Sequence, residues 1–397
     1  MSISDKHAIG QRLKRARETL GLSLEEVARK LKLGSYQTIS NIEKGERAIK
    51  VSELSILSEI YYRDPWSFLS DSAANNKPAQ IAWRGSRNAT DYSVIERRLI
   101  TISEDYCLLE RINGESRTIS DFAWPGSVVC KNYKDIEEKA QETIKELDLG
   151  YCPAMILCNA LETKYGIRII HYPMDEYGSA ATVMTEEGVT IIINSTECAG
   201  RRNFSLAHEL FHILSSNTYP LNSMAKYEEK PKGKIETLAN VFASALLMPR
   251  DSIATEINKR IKRGKIQLID LIAVAKMFAV STEALLWRLK VLGSLDKDAV
   301  QEIAKSEQFK TIDGENRKDD RRPTEGFSPR FVYLGLNAVK SGKISKGKFC
   351  RIFELHRSRF SEFVKSQGFG EEFDYATEVK ASFAEYSNHT GPDLASL

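Results

Sequence analysis

Apolar residues recur at helical spacing from the start of the chain. Leu13, Ala16, Leu20, Leu24, Val27, Ala28 and Leu31 follow the three-and-four rhythm of short packed helices. Ser23, with Glu26 three places on, is a capping box that opens the second helix. Gly34-Ser35 breaks and recaps the chain, and Gly45 ends the next short helix. Residues 6–70 thus predict a compact helical unit. The polar stretch SDSAANNKPAQ (70–80) reads as a linker. Residues 81–150 are mixed, with helical signals at 96–112 and 134–147. A helix then leads into a strand at 167–171, and AATVM (180–184) and VTIIIN (189–194) predict further strands. From Phe204 to Leu292 the pattern is strongly helical. ENRKDDRRPTEG (315–326) is dense in charge and turn formers and reads as an exposed linker. The tail from 327 has helical pieces around the turn SGKISKGK (341–348), and no internal repeat or low-complexity tract stands out.

Composition narrows the class. With 397 residues the chain exceeds one ordinary domain, and 42% hydrophobic with 28% charged residues excludes a collagen, a disordered chain or a membrane protein. A net charge of +3 argues against a polyanion binder along the whole chain, but a local basic surface stays open. Residues 1–70 hold 12 basic and 9 acidic side chains. No pair among the six cysteines has CxxC spacing, which disfavours a zinc ribbon and suits a reducing compartment. The N-terminus lacks an apolar signal core, and no apolar run approaches the roughly 20 residues that span a bilayer. The expected location is the cytoplasm, with no membrane partner.

The chemistry concentrates at His208-Glu209-Leu210-Phe211-His212, an HExxH sequence. Residues i and i+4 share a helix face, so both imidazoles can bind one ion. Glu209 sits about 100° round the helix, where it can reach a water without ligating the metal. Catalytic zinc sites normally use three protein ligands. The best third candidate is Glu236 in IETLANVFASALLMP (235–249), with Asn240 on the same face able to hydrogen-bond a ligand. The plainer alternatives are a buried helix with two satisfied histidines, and a carboxylate placed at a helix start by the dipole.

RRNFSLAHELFHIL followed by ETLANVFASALLMP resembles the ImmA/IrrE family of zinc metallopeptidases, and AKMFAVSTEALLWRLKVLG (275–293) is similar to the segment that follows in that family. The resemblance covers residues 145–293. It implies that His208, His212 and Glu236 ligate Zn²⁺, with Glu209 as general base. Manganese could substitute in such a site. Family members known as regulators cut helix-turn-helix repressors. Phe211 departs from the family's usual Gly. Arg201, Arg202, Tyr219 and Tyr227 lie within sequence range of the site as oxyanion donors, though each reads first as structural.

GLSLEEVARKLKLGSYQTISNIEKGERAI (21–49) resembles the Xre/Cro-type helix-turn-helix. That match sets the recognition helix at Tyr36–Lys44. It makes Tyr36, Gln37, Thr38 and Asn41 the base-edge candidates, and Lys44 and Arg47 the phosphate contacts. Leu24 stands where the family often has a phosphate-binding Gln. The alternative is a helical module that binds protein or dimerises.

The expected architecture is multidomain and mainly α. It has a helix-turn-helix domain (1–70), a spacer (71–144), an α+β zincin-like metallopeptidase domain with a small sheet (145–293), a charged linker (294–326) and a helical tail (327–397). The expected function is a zinc-dependent endopeptidase with a DNA-binding domain, acting in transcriptional regulation on a protein substrate such as a helix-turn-helix repressor. Double-stranded DNA is the second partner, and a homodimer stays open. The competing reading is a DNA-binding or antitoxin-like regulator whose zinc fold is a sensor or scaffold. His7, His171, His356 and His389 read as surface or structural, with His171 a minor candidate for the cleft. The run KRIKRGK (259–265) reads as a solvated face. Trp83, Trp124 and Trp287 read as core, and Trp66 and Phe68 as closing the N-terminal core.

Overall fold

Strand β4 (Gly188–Asn194) is buried at every position, so its GVTIIIN run needs cover on both faces. It sits inside a four-stranded sheet of order β1-β3-β4-β2. β3 (Ala180–Thr185) pairs with it antiparallel, and β2 (Arg168–Tyr172) pairs parallel. β1 (Gln80–Arg84) closes the other side antiparallel to β3, with Gln80 opposite Met184 and Arg84 opposite Ala180. The computed structural model describes residues 3–19, 22–31, 35–61, 65–69, 80–84, 92–115, 132–185, 187–218, 231–316 and 327–368. Gly34, the 70–79 stretch, Trp124, Tyr219 and Tyr227 lie outside them, as does the side chain of Trp66.

Helix α6 (Ser93–Asn113) covers one face of the sheet. Its Ser103 hydroxyl lies 2.5 Å from that of Thr190, and its Glu110 accepts from the buried Arg168 Nε at 2.6 Å. Strand alternation turns Ile169, Thr182, Ile191 and Ile193 to the opposite face, which packs against α9 (Ala199–Leu214). The short α8 (Leu157–Ala160) precedes β2, and beyond α9 lie α10 (Pro231–Leu247), α11 (Arg250–Arg260), α12 (Leu268–Met277) and α13 (Thr282–Val291), which share its core.

Two stretches differ from expectation. The region expected as a spacer supplies β1 to the sheet and α7 (Tyr133–Leu147) to the core, through Ile136, Ala140 and Leu147. Glu137 of α7 receives both terminal nitrogens of Arg288, a fully buried side chain of α13 whose Nε also donates to Met248 O at 3.0 Å. This guanidinium joins three segments, and its burial requires that carboxylate. The region expected as a charged linker contains α14 (Lys297–Lys305) and α15 (Glu307–Asn316). Asp296 caps α14 by accepting from Ala299 N at 2.7 Å, while Val300 and Phe309 are buried. Charge density there marks the wet faces of amphipathic helices rather than a linker. Trp287 also differs from its core reading: it is 37% exposed, while its neighbours Leu286 and Arg288 point inward.

At the N-terminus, α1 (Ile3–Thr19), α2 (Leu24–Lys30), α3 (Gln37–Glu43), α4 (Val51–Tyr61) and α5 (Pro65–Leu69) enclose a separate core of Leu13, Val27, Ile39, Ile42, Leu57 and Phe68. The capping box forms in both directions: Glu26 N donates to Ser23 Oγ at 3.1 Å, and Ser23 N donates to Glu26 Oε2 at 2.7 Å. Arg17 of α1 grips Glu43 of α3 with two bonds of 2.6 and 2.8 Å. Gly10 allows the two helices to touch, since a Cβ there would lie 2.4 Å from Ile42 O.

Residues 1–331 and 332–397 form two units. In the second, helix α16 (Pro329–Lys340), whose first turn belongs to the first unit, is followed by α17 (Lys346–Ile352) and α18 (Phe360–Ser366). Phe349 stacks on Phe353 at 4.4 Å and meets Phe360 edge-on at 5.4 Å. Among the described residues no helix is long and apolar enough to cross a membrane.

Candidate functional site

Every residue of α9 from Ser205 to Leu214 is buried, so its polar side chains need partners inside the protein. The apolar positions Leu206, Ala207, Leu210, Phe211, Ile213 and Leu214 fix the helix against the sheet on one side and α10 on the other. Phe211, which departs from the family's Gly, is fully buried and packs on Phe242 of α10 with centroids 5.6 Å apart. That contact binds the two helices that carry the polar cluster. The start of α9 is equally confined. A Cβ on Gly200 would lie 2.7 Å from Ser281 N and 2.8 Å from Val280 C, so only glycine lets the first turn abut the cap of α13.

His208, His212 and Glu236 converge between α9 and α10. His208 Nε2 lies 3.1 Å from His212 Nε2 and 3.1 Å from Glu236 Oε2, and His212 Nε2 lies 3.6 Å from Glu236 Oε1. Ligand bonds of about 2.0–2.2 Å in a tetrahedral arrangement place donor atoms roughly 3.3–3.6 Å apart. The three donors therefore already stand at the spacing a zinc-sized ion requires. Two neutral imidazoles and one carboxylate also suit a borderline divalent cation chemically. Glu236 is only half-buried, which leaves the cluster approachable from the α10 side.

Asn240, one turn beyond Glu236, has Oδ1 2.9 Å from His208 Nδ1. With Oδ1 as acceptor, His208 carries its proton on Nδ1 and presents the Nε2 lone pair to the cluster. Glu209 points from α9 to the sheet, where Thr182 Oγ1 donates to its Oε2 at 2.6 Å. Thr182 escaped the sequence reading. Its signal was a lone hydroxyl in the apolar strand AATVM, on the face that strand alternation turns inward.

Other candidates lie apart from the cluster. Arg201 pairs with Glu197 at 2.7 Å, and Arg202 donates to Glu197 O. Both sit at the opening of α9, six or seven residues before His208, or about 9–10 Å along the helix. His171 lies on the α9 face of β2. Burial first, and then the neighbouring Arg202, push its pKa down to about 4, so it is neutral near pH 7.

At the N-terminus, α3 runs from Gln37 to Glu43 between Tyr36 and Lys44 as its caps. Tyr36, Gln37, Asn41 and Lys44 are exposed, and Thr38 is half-buried. Arg47 is already engaged: its terminal nitrogens donate to the two oxygens of Glu53 at 3.1 and 2.8 Å. Tyr36, Gln37 and Asn41 thus share one open surface, while Arg47 is braced by a carboxylate.

Among the curated proteins, none matches this chain. Residues 162–290 match the family model for the IrrE N-terminal-like domain, a peptidase family, and residues 13–61 match that for a helix-turn-helix. The first match contains β2–β4, α9 with its two histidines, and Glu236; the second contains α2 and α3. The chain thus carries an IrrE N-terminal-like domain behind a DNA-binding helix-turn-helix domain, the pairing that its resemblance to the ImmA/IrrE family implies.

Proposed function

We propose that the chain is a zinc-dependent endopeptidase that acts in transcriptional regulation by cutting a protein such as a helix-turn-helix repressor. The observation that carries this reading is the buried Glu209 beside three donors at metal-ligand spacing. His208, His212 and Glu236 would hold the ion, which supplies a Lewis acid for the scissile carbonyl and for water. Glu209 accepts the proton of the attacking water at a carboxylate oxygen and returns it to the leaving amine. Thr182, through its bond to Oε2, holds the carboxylate in one orientation. Asn240 keeps His208 in the tautomer a metal needs. α3 brings the peptidase to promoter DNA, where repressors are concentrated; Tyr36, Gln37, Thr38 and Asn41 face the bases, and Lys44 the backbone.

The test incubates the purified chain with zinc and a helix-turn-helix repressor, and reads cleavage by mass spectrometry. Glu209→Gln is expected to keep the metal and abolish cleavage. A Glu209→Gln protein that regulates as well as the parent would instead make the fold a sensor or scaffold.

A further inference from the structure

The overall charge of +3 conceals a local imbalance. Residues 332–368 carry eight basic side chains against two acidic ones, Glu354 and Glu362. Seven of the eight are exposed, and Lys348 is half-buried. Residues 369–397 carry one basic and six acidic side chains, which cancel most of that excess in the total.

This basic stretch also repeats the cap, helix lengths and burial spacing of α2–α3. In both, a serine caps a seven-residue helix by accepting from the backbone three residues on: Ser23 from Glu26 N and Ser345 from Lys348 N, each at 3.1 Å. In both, residues four, five and eight places after that serine are buried, Val27, Ala28 and Leu31 in one and Phe349, Cys350 and Phe353 in the other; the C-terminal copy also buries Ile352, where the N-terminal one exposes Lys30. In both, a second seven-residue helix follows after a short connection, 31–36 or 353–359, and buries a residue nineteen places after the cap, Ile42 or Val364. In the C-terminal copy, Glu354 adopts a left-handed turn (φ 52°) directly after α17, the conformation for which a helix-turn-helix turn often recruits glycine. The preceding helix is set close in each, by Gly10 against α3 and by Gly335 against the rings of Phe349 and Phe353. Sequence identity in this register is slight, limited to the capping serine (Ser23 and Ser345) and a few others such as Arg29 and Arg351, and phenylalanines replace the smaller N-terminal core residues Val27 and Leu31.

We propose that residues 345–366 form a second helix-turn-helix that docks on duplex DNA, with α18 toward the major groove and Arg357, Arg359 and Lys365 on phosphates. Arg357 lies over Gly347, where a Cβ would come 2.6 Å from its Nη2, so its charge joins that of Lys346 and Lys348 at the start of α17. Arg359 opens α18 and Lys365 ends it. Positive charge therefore brackets the helix, as phosphates bracket a groove. Neither family match reaches this region, and the proposal does not rest on the peptidase reading.

The experiment measures binding of the full chain to a labelled random-sequence duplex over a salt series. The triple variant Arg357→Ala/Arg359→Ala/Lys365→Ala alters only exposed side chains, and its fold is checked by thermal melting. It is expected to lower the slope of log affinity against log salt by about two to three. The same drop is expected in a Gln37→Ala/Asn41→Ala background, which separates this surface from α3. Arg357→Lys/Arg359→Lys should keep the parental slope. An unchanged slope in the triple variant overturns the proposal. So does a loss confined to single-stranded RNA or to anionic lipid vesicles.

Discussion

The His208–His212–Glu236 cluster and the α3 surface are built under opposite constraints. The cluster gathers side chains from β3, α9 and α10, and its two histidines and Glu209 are buried. Two of these groups already have a partner that sets their orientation: Asn240 for His208, Thr182 for Glu209. The α3 surface uses neighbours in sequence, Tyr36, Gln37 and Asn41, that lie exposed to solvent. A buried site is therefore set to within fractions of an ångström by its own protein, and one change breaks it. An exposed reading face is completed by its ligand, and its contacts subtract one at a time.

The sharpest break in that contrast is at Glu209. Glu209→Gln should lower kcat/KM by about 10²–10⁴-fold with metal content retained, whereas His212→Ala should lose the metal itself; cleavage assays paired with elemental analysis separate the two. Next come the supporting residues. Asn240→Ala should weaken metal affinity by about 10–100-fold, read by competition with a chelator. Thr182→Val should lower kcat by about tenfold or more with little change in KM, and equal losses in both would make Thr182 merely structural. On the exposed face, Gln37→Ala and Asn41→Ala should each cost about 1–3 kcal/mol of specific DNA binding at fixed salt and leave cleavage unchanged. Arg47→Ala should change DNA affinity less, because Glu53 already holds that guanidinium; a loss as large as that of Asn41→Ala would show that the brace releases it to DNA. The smallest effect concerns acid stability. His171 has a folded pKa of about 4, below the unfolded value near 6.5, so the unfolded chain binds the extra proton between them. Stability should therefore fall as pH drops from about 6.5 toward 4, by on the order of 1–3 kcal/mol. His171→Gln should flatten that fall in denaturant titrations, and an unchanged pH profile would place the acid sensitivity elsewhere.

What was legible in the sequence follows from how far apart partners lie. The HExxH pair and the α3 face are local patterns, and a helix alone places their side chains. Glu236 needed a second helix, which its own apolar pattern disclosed. Thr182, β1 and the packing role of α7 were not legible, because their meaning comes from partners far along the chain, although the helix itself showed in the pattern at 134–147. β1 reads as an ordinary polar–apolar segment until it pairs with β3, about 100 residues later. Glu137 is one acid among many on α7 until Arg288, 151 residues away, is buried against it. Charge density also misled between 294 and 316, since burial there depends on a few residues such as Val300 and Phe309.

The Arg288 junction has a practical consequence for anyone dividing this protein into pieces. A fragment begun at residue 145, where the family resemblance starts, would omit Glu137 and strand a guanidinium in an apolar interior. Breaking a buried pair in this way typically costs about 3–5 kcal/mol, which is much of the stability of an ordinary domain. A peptidase fragment that keeps α7, with its Asn132 cap, retains this counter-charge, and by the same argument it must also keep Glu110 of α6, the partner of the buried Arg168.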